Sequence, residues 1–223
     1  MPSRNILKIY VSDSYYHIYN RGVAKQKVFR DRQDYKVFLK YLKEALSIPV
    51  IKKIDFNLQG RTFKGIKRPV KNFHHNITLI AYCLMPNHFH LLLKQKSKET
   101  IKSFMRSIST RYAAYFNRKY DRIGPLYQGR YKAVLITNDE YLLHLTRYIH
   151  LNPAEYISVL TKAYSSYADY LGLRNTLWLN PNFILKFFKS PIMPVVSKFN
   201  DYKTFVENNK TDSATILEKL TLD

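Results

Sequence analysis

The 223-residue chain has one cysteine, Cys83, so it can form no intramolecular disulfide and assemble no cysteine-rich zinc site. Its 6 glycines and 9 prolines are too few for a collagen-like, low-complexity or disordered chain. Neither a GxGxxG nor a phosphate-loop pattern occurs, so no nucleotide cofactor is expected. Long apolar runs are also missing. The longest candidate, Ile77 to Met85, stops at Pro86, far short of the roughly 20 residues a bilayer span needs, and no membrane partner is expected. Arg4 and Lys8 are not followed by an apolar stretch and a small-residue cleavage site, so the N-terminus does not read as a secretory signal and a cytoplasmic location is expected. Acidic residues are scarce: 16 Asp and Glu against 37 Lys and Arg leave a formal charge of +21. No hydrophobic core requires such an excess, and it repels itself unless an anion is bound. Nucleic acid is the partner this predicts.

What is present is a foldable chain, 46% hydrophobic, with room for one large domain or one domain plus an appendage. Tyr15 to Tyr19 reads as a strand ending at Asn20-Arg21-Gly22. Asp31 can cap a helix in which Tyr35, Phe38, Leu39, Leu42 and Leu46 recur at helical spacing before Pro49. Residues 50–75 carry Lys52, Lys53, Arg61, Lys64, Lys67, Arg68 and Lys71 against Asp55 alone, with Gly60, Gly65 and Pro69 as breaks, and read as a basic loop or hairpin. Ile77 to Cys83 and His88 to Lys94 read as two strands paired antiparallel around a Met85-Pro86-Asn87 turn. A second helix is predicted from Thr100 to Tyr120. A strand follows at Tyr131 to Ile136, then a third helix capped by Asn138 or Asp139, running to Leu151 and ended by Pro153. This order predicts an α+β fold: a ferredoxin-like (RRM-like) antiparallel sheet with helices on one face, an added helix, and a C-terminal helical extension. The expected division is 1–175, with the basic insertion at about 50–75, and 176–223, where Pro181, Pro191 and Pro194 interrupt short apolar runs.

Two constellations could carry chemistry. His88-Phe89-His90 on a strand puts both imidazoles on one face, where they can converge on a metal or stand as two partly exposed strand histidines. Position 92 is Leu, so a third alternate histidine is lacking, and no further His, Cys or carboxylate lies nearby to complete a zinc site. Tyr148 and Asn152, four residues apart at the end of the third helix, share a face, while His150 points elsewhere and reads as a packing residue. Tyr141 is the rival tyrosine on a similar face. Lys102, Arg106, Arg111, Arg118, Lys119, Arg122, Arg130 and Lys132 alternate with Tyr112, Tyr115, Tyr120, Tyr127 and Tyr131, the mixture expected where phosphates are neutralised and unstacked bases lie on rings.

Four motifs in order, Tyr16-His17-Ile18-Tyr19-Asn20-Arg21-Gly22, Ala81-Tyr82-Cys83-Leu84-Met85-Pro86-Asn87-His88-Phe89-His90, Tyr127-Gln128-Gly129-Arg130-Tyr131-Lys132 and Arg147-Tyr148-Ile149-His150-Leu151-Asn152-Pro153, resemble the signatures of REP-associated tyrosine transposases, single-tyrosine members of the HUH endonuclease superfamily. The resemblance runs from about residue 15 to Leu173 and includes Tyr164-Ser165-Ser166-Tyr167. It implies that His88 and His90 are paired metal ligands, Asn152 a third, polar ligand for Mg²⁺ or Mn²⁺, and Tyr148 the nucleophile of a 5′-phosphotyrosine intermediate. The implied activity is single-strand DNA cleavage and strand transfer on hairpin-forming DNA, by a monomer or homodimer that is nucleoid-associated when bound. Arg21 and Arg130 lie inside the motifs and, with Arg106, Arg111 and Lys132, are the expected DNA contacts.

The chain departs from the family pattern in two places. Ala154-Glu155-Tyr156 stands where relatives often carry a basic residue, and the connection from Leu46 to Asn76 is longer than usual. Neither touches the presumed chemistry, and both bear on DNA sequence preference. The rival readings are a replication-initiator or relaxase-like HUH nuclease, which usually needs further domains, and a catalytically silent nucleic-acid-binding protein on the same platform.

Overall fold

The computed structural model describes residues 8–50, 53–66, 69–189 and 194–208. Lys52, Lys67 and Arg68 of the basic insertion, and the expected helical tail beyond residue 208, lie outside them. Strand β1 (Ser14–Arg21) is buried continuously from Tyr16 to Asn20 and is followed by Gly22. A side chain is excluded there because a Cβ would lie 2.2 Å from the Gln26 carbonyl oxygen. Helix α1 (Arg32–Leu46) begins, as predicted, at Asp31, whose carboxylate accepts the Gln33 and Asp34 N–H groups in a capping box with Asp34. Asp34 is itself buried and also accepts from Lys119 Nζ (2.9 Å), Tyr120 OH (2.8 Å) and Tyr115 OH (3.0 Å). Burial opposes ionisation of Asp34, but Lys119, the Arg30 N–H and the two phenols outweigh it and hold the carboxyl below its usual range.

The basic insertion forms a separate hairpin of β2 (Lys53–Leu58) and β3 (Arg61–Ile66). Strands β4 (Ile77–Met85) and β5 (His88–Gln95) pair antiparallel around Pro86-Asn87. Helix α2 (Thr100–Lys119), strand β6 (Lys132–Ile136) and helix α3 (Asp139–Leu151) follow. Asn138 caps α3 by accepting the Tyr141 N–H at 2.8 Å. Pro153 does not end the chain's helical course outright: α3 passes into a 3-10 turn at Asn152–Glu155, with the proline in its first turn, where no N–H donor is needed. The short helices α4 (Tyr167–Tyr170), α5 (Asn182–Lys189), α6 (Pro194–Ser197) and α7 (Tyr202–Glu207) complete the described chain.

The main sheet has the order β4-β5-β1-β6 with every pair antiparallel, the arrangement of a ferredoxin-like βαββαβ unit. Helices α1 and α2 cover one face, packing Phe38, Leu42, Phe104 and Ile108 against Tyr16, Ile18, Phe89 and Leu91. This is the face expected to carry the helices of the βαββαβ unit. Helix α3 and the extension lie on the other face, with Leu142, Leu145, Ile149, Ile184, Tyr202 and Phe205 joining Ile80, Ala81, Cys83 and Leu92. The reason is in β4, where eight of nine residues are buried: a strand apolar on both sides needs cover on both sides. The extension after residue 176 thus completes this second core.

Candidate active site

Alternation along β1 and β5 turns His17, Tyr19, Arg21, His88 and His90 toward the face that α3 covers. In register, Arg21 sits opposite His88 and Tyr19 opposite His90, with Lys132 of β6 beyond Tyr19. The imidazole centroids of His88 and His90 are 4.9 Å apart. His90 is fully buried, its Nδ1 lies 2.8 Å from His17 Nε2, and the two rings stack at 5.0 Å. Burial first, then the neighbouring His17, His88 and Arg21, push the His90 pKa well below the ordinary imidazole value, so the ring is neutral at physiological pH. Its Nε2 is buried without a hydrogen-bond partner. The network assigns the tautomer: Nδ1–H donates to His17 and Nε2 keeps a lone pair, since the reverse would bury an unpaired N–H.

His88 is half-buried, with Nδ1 2.6 Å from Asn87 Oδ1 and Nε2 3.2 Å from Asn152 Oδ1. In a neutral ring whose Nδ1–H is donated to Asn87, the second contact sets one lone pair against another, which suits a cation between them. A separation of 3.2 Å is also close to the roughly 3 Å expected between adjacent ligands of a small hard cation bound at about 2.1 Å. Among the described residues no three His, Cys, Asp or Glu side chains cluster to hold a metal. The donor set the geometry offers is therefore two imidazoles and one amide oxygen, three donors that could hold a divalent cation with coordination positions left open, unlike a closed structural site.

Helix α3 brings the phenol. The Tyr148 ring meets His90 edge-on at 5.3 Å and His17 at 6.3 Å. The Asn152 N–H bonds back to the Tyr148 carbonyl, so one helical turn keeps both side chains over the histidine pair. The structure thus gathers His88, His90, Asn152 and Tyr148 in one place. Tyr141 lies two turns earlier, exposed at the capped start of the helix. His150 is a packing residue, fully buried and bonded to Tyr202 OH and Ser166 Oγ at 2.7 Å each.

The basic residues divide by sheet face. Arg21 and Lys132 flank the histidines, and Arg21 Nε is buried without a partner. Exposed Arg130 stands near Lys132 and Lys8; the Lys8 pKa is lowered by burial and then by the repulsion of those two cations. Arg106 and Arg111 are not gathered to this site. Both lie on α2, across the sheet, where Arg106 is exposed and Arg111 is ion-paired to Glu44 and stacked over the Tyr41 ring at 4.0 Å. Sequence reasoning gave no role to His17 or Asn87, each of which orients one imidazole. The available signal for His17 was its place two residues from Tyr19 and four from Arg21 on the same strand face; for Asn87, its position beside His88.

A family model described as transposase, IS200-like, matches residues 10–152. A solved REP-associated tyrosine transposase bound to a REP hairpin superposes with a TM-score of 0.53 at 10% identity, covering 80% of this chain and 98% of that one. This likeness is one of fold. A candidate transposase from Deinococcus radiodurans R1 aligns at 15% identity over 67% of this chain and 95% of its own, with a TM-score of 0.37, below the level at which a shared fold is established. Among curated proteins none matches the sequence.

Proposed function

The chain belongs to the IS200-like transposase family, and from that premise we propose that it cuts and rejoins single-stranded DNA at hairpin-forming sites, with Tyr148 as the nucleophile. The observation that carries this reading is the buried, partnerless lone pair of His90 Nε2, on a ring that neighbours His88 and meets the Tyr148 ring edge-on at 5.3 Å, with Asn152 on His88. His88 Nε2, His90 Nε2 and Asn152 Oδ1 would hold the ion, while His17 and Asn87 fix the two imidazoles. A bound Mg²⁺ or Mn²⁺ would supply charge neutralisation and alignment of the scissile phosphate.

Tyr148 Oη attacks phosphorus in line, forming the tyrosyl ester as the bond to the 3′ oxygen breaks. The phenolic proton passes to water, and the leaving 3′ oxygen takes up a proton to become a hydroxyl. A phenol with a pKa of about 10 is a weak nucleophile at neutral pH, so its position must compensate for its protonation. Because one phosphoester replaces another, a 3′-hydroxyl can reverse the step and join strands without ATP. Arg21, Lys132 and Arg130 supply positive charge along the approach to the histidine face. The solved neighbour carries a REP hairpin, and the charge of +21 here suits a partner of that kind.

The test is denaturing electrophoresis of the protein with a labelled hairpin and Mn²⁺, followed by peptide mapping. A covalent band mapping to Tyr148 is expected, absent from Tyr148→Phe and from chelated protein, and undiminished in Tyr141→Phe. Tyr148→Phe keeps the ring and so keeps folding and hairpin binding. An adduct mapping to Tyr141, or full cleavage under chelation, would overturn the assignment.

A further inference from the structure

The hairpin of β2 and β3 stands outside both hydrophobic cores, yet it is not a polar surface loop. Its register places Phe56 opposite Phe63 and Leu58 opposite Arg61 on one face, and Lys64 opposite Asp55 on the other. Phe56 is 47% and Phe63 51% exposed, and Leu58 is 66% exposed. The remaining members of the aromatic face are half-buried Ile54 and, opposite it, Gly65, where a Cβ would come within 2.5 Å of Phe56 Cε2. The Phe56 ring therefore lies across bare backbone on one side and offers its other side to solvent. A two-stranded ribbon gains little stability from an exposed aromatic pair in isolation, so the pair calls for a ligand with flat apolar surfaces.

Charge selects among the ligands. Residues 50–75 hold seven Lys and Arg against one acidic residue, which disfavours an apolar protein surface and favours a polyanion. Flat rings and a polyanionic backbone occur together in unpaired nucleic acid, where bases stack on aromatic side chains and Lys and Arg neutralise phosphates. We propose that the β2–β3 hairpin is a second DNA-contacting arm, in which Phe56 and Phe63 stack unpaired bases flanking the hairpin substrate and Arg61, on the same face, holds phosphate, while Lys53 and Lys64 on the opposite face add to the positive field. This rests on the reading of the protein as a single-strand DNA enzyme and assigns to the insertion the flanking strand, separate from the histidine site.

The probe is a stem-loop oligonucleotide with or without an oligo-dT tail of about 12 nucleotides, within the span one single-strand module covers. Fluorescence anisotropy should show Phe56→Ala with Phe63→Ala weakening the tailed probe about fivefold or more for each lost ring, with blunt-probe affinity unchanged. In Phe56→Trp, oligo-dT should quench emission beyond the change seen for Trp178 in the unsubstituted protein. Equal affinity of both proteins for the tailed probe, equal losses on both probes, or no added quenching would overturn the arm. So would a change from dimer to monomer on sedimentation of the double variant, which would make the face a contact between copies. Failure of the catalytic reading is distinguishable: the tail effect would persist in a protein that forms no adduct at Tyr148.

Discussion

His90 owes its surroundings to three elements. Its backbone lies in β5, its Nδ1 is held by a histidine from β1, and its edge is covered by a tyrosine from α3. Replacing His17 by Phe keeps a flat ring in the stack but removes the nitrogen that selects the His90 tautomer. The protein should fold, and Mn²⁺ affinity measured by calorimetry without DNA should fall about 10- to 100-fold. His17→Gln, which restores a polar partner, should recover part of the loss. Unchanged Mn²⁺ binding in His17→Phe would make His17 a packing residue only. The histidine pair was legible from its spacing, since a period of two needs no knowledge of the rest of the fold. His17 was not, because strand alternation shows its face but not which strand lies beside it.

At the level of elements, helix α3 is clamped from both sides. It packs on β4 and β5 beneath and is tied above to α7 by His150 to Tyr202, by Arg147 Nε to the Phe205 carbonyl at 2.6 Å, and by the Arg147 guanidinium over the Phe205 ring at 3.9 Å. Burial, and secondarily the charge of Arg174, lower the His150 pKa to about 3. A histidine that titrates at its ordinary value when unfolded and near 3 when folded binds its proton preferentially in the unfolded state. Its neutral form therefore supports the fold fully above about pH 6.5, and that support is lost progressively as pH falls toward 3. Urea denaturation between pH 4 and 6 should show stability falling by up to about 1.4 kcal/mol per pH unit more steeply than in His150→Gln. Parallel slopes would show that His150 is not the buried titrating group. The elements themselves were readable from caps and periodicity, as at Asp31 and Asn138. The side of the sheet each helix takes was not, because an apolar stripe states only that a face is buried.

For the whole molecule, the surplus of positive charge makes DNA affinity a salt-dependent quantity. Binding to single-stranded probes should weaken linearly on a double-logarithmic plot, with a slope of roughly −0.7 for each phosphate neutralised. Lys132→Ala and Arg130→Ala should each flatten that slope by about one phosphate. Arg111→Ala should leave it unchanged, because its guanidinium is committed to Glu44 and Tyr41 on the opposite side of the sheet. A flatter slope in Arg111→Ala alone would move the DNA path to the α1–α2 layer.

The amino-acid sequence by itself determined the composition class, the surplus of positive charge, the order of strands and helices, and the pairing of His88 with His90 and of Tyr148 with Asn152. Each of these depends on residue counts or on a local repeat of two or about four residues, and local repeats persist whatever the chain does elsewhere. Tertiary structure decided what required residues far apart in the chain to meet: His17 on His90, Asn152 on His88, α3 on the second face of the sheet, and the separation of Arg21 and Lys132 from Arg106 and Arg111. The physical reason is that strand partners and the choice of sheet face are set by burying both apolar sides of β4 and β5 at once, a condition on the whole chain that no single window of sequence contains.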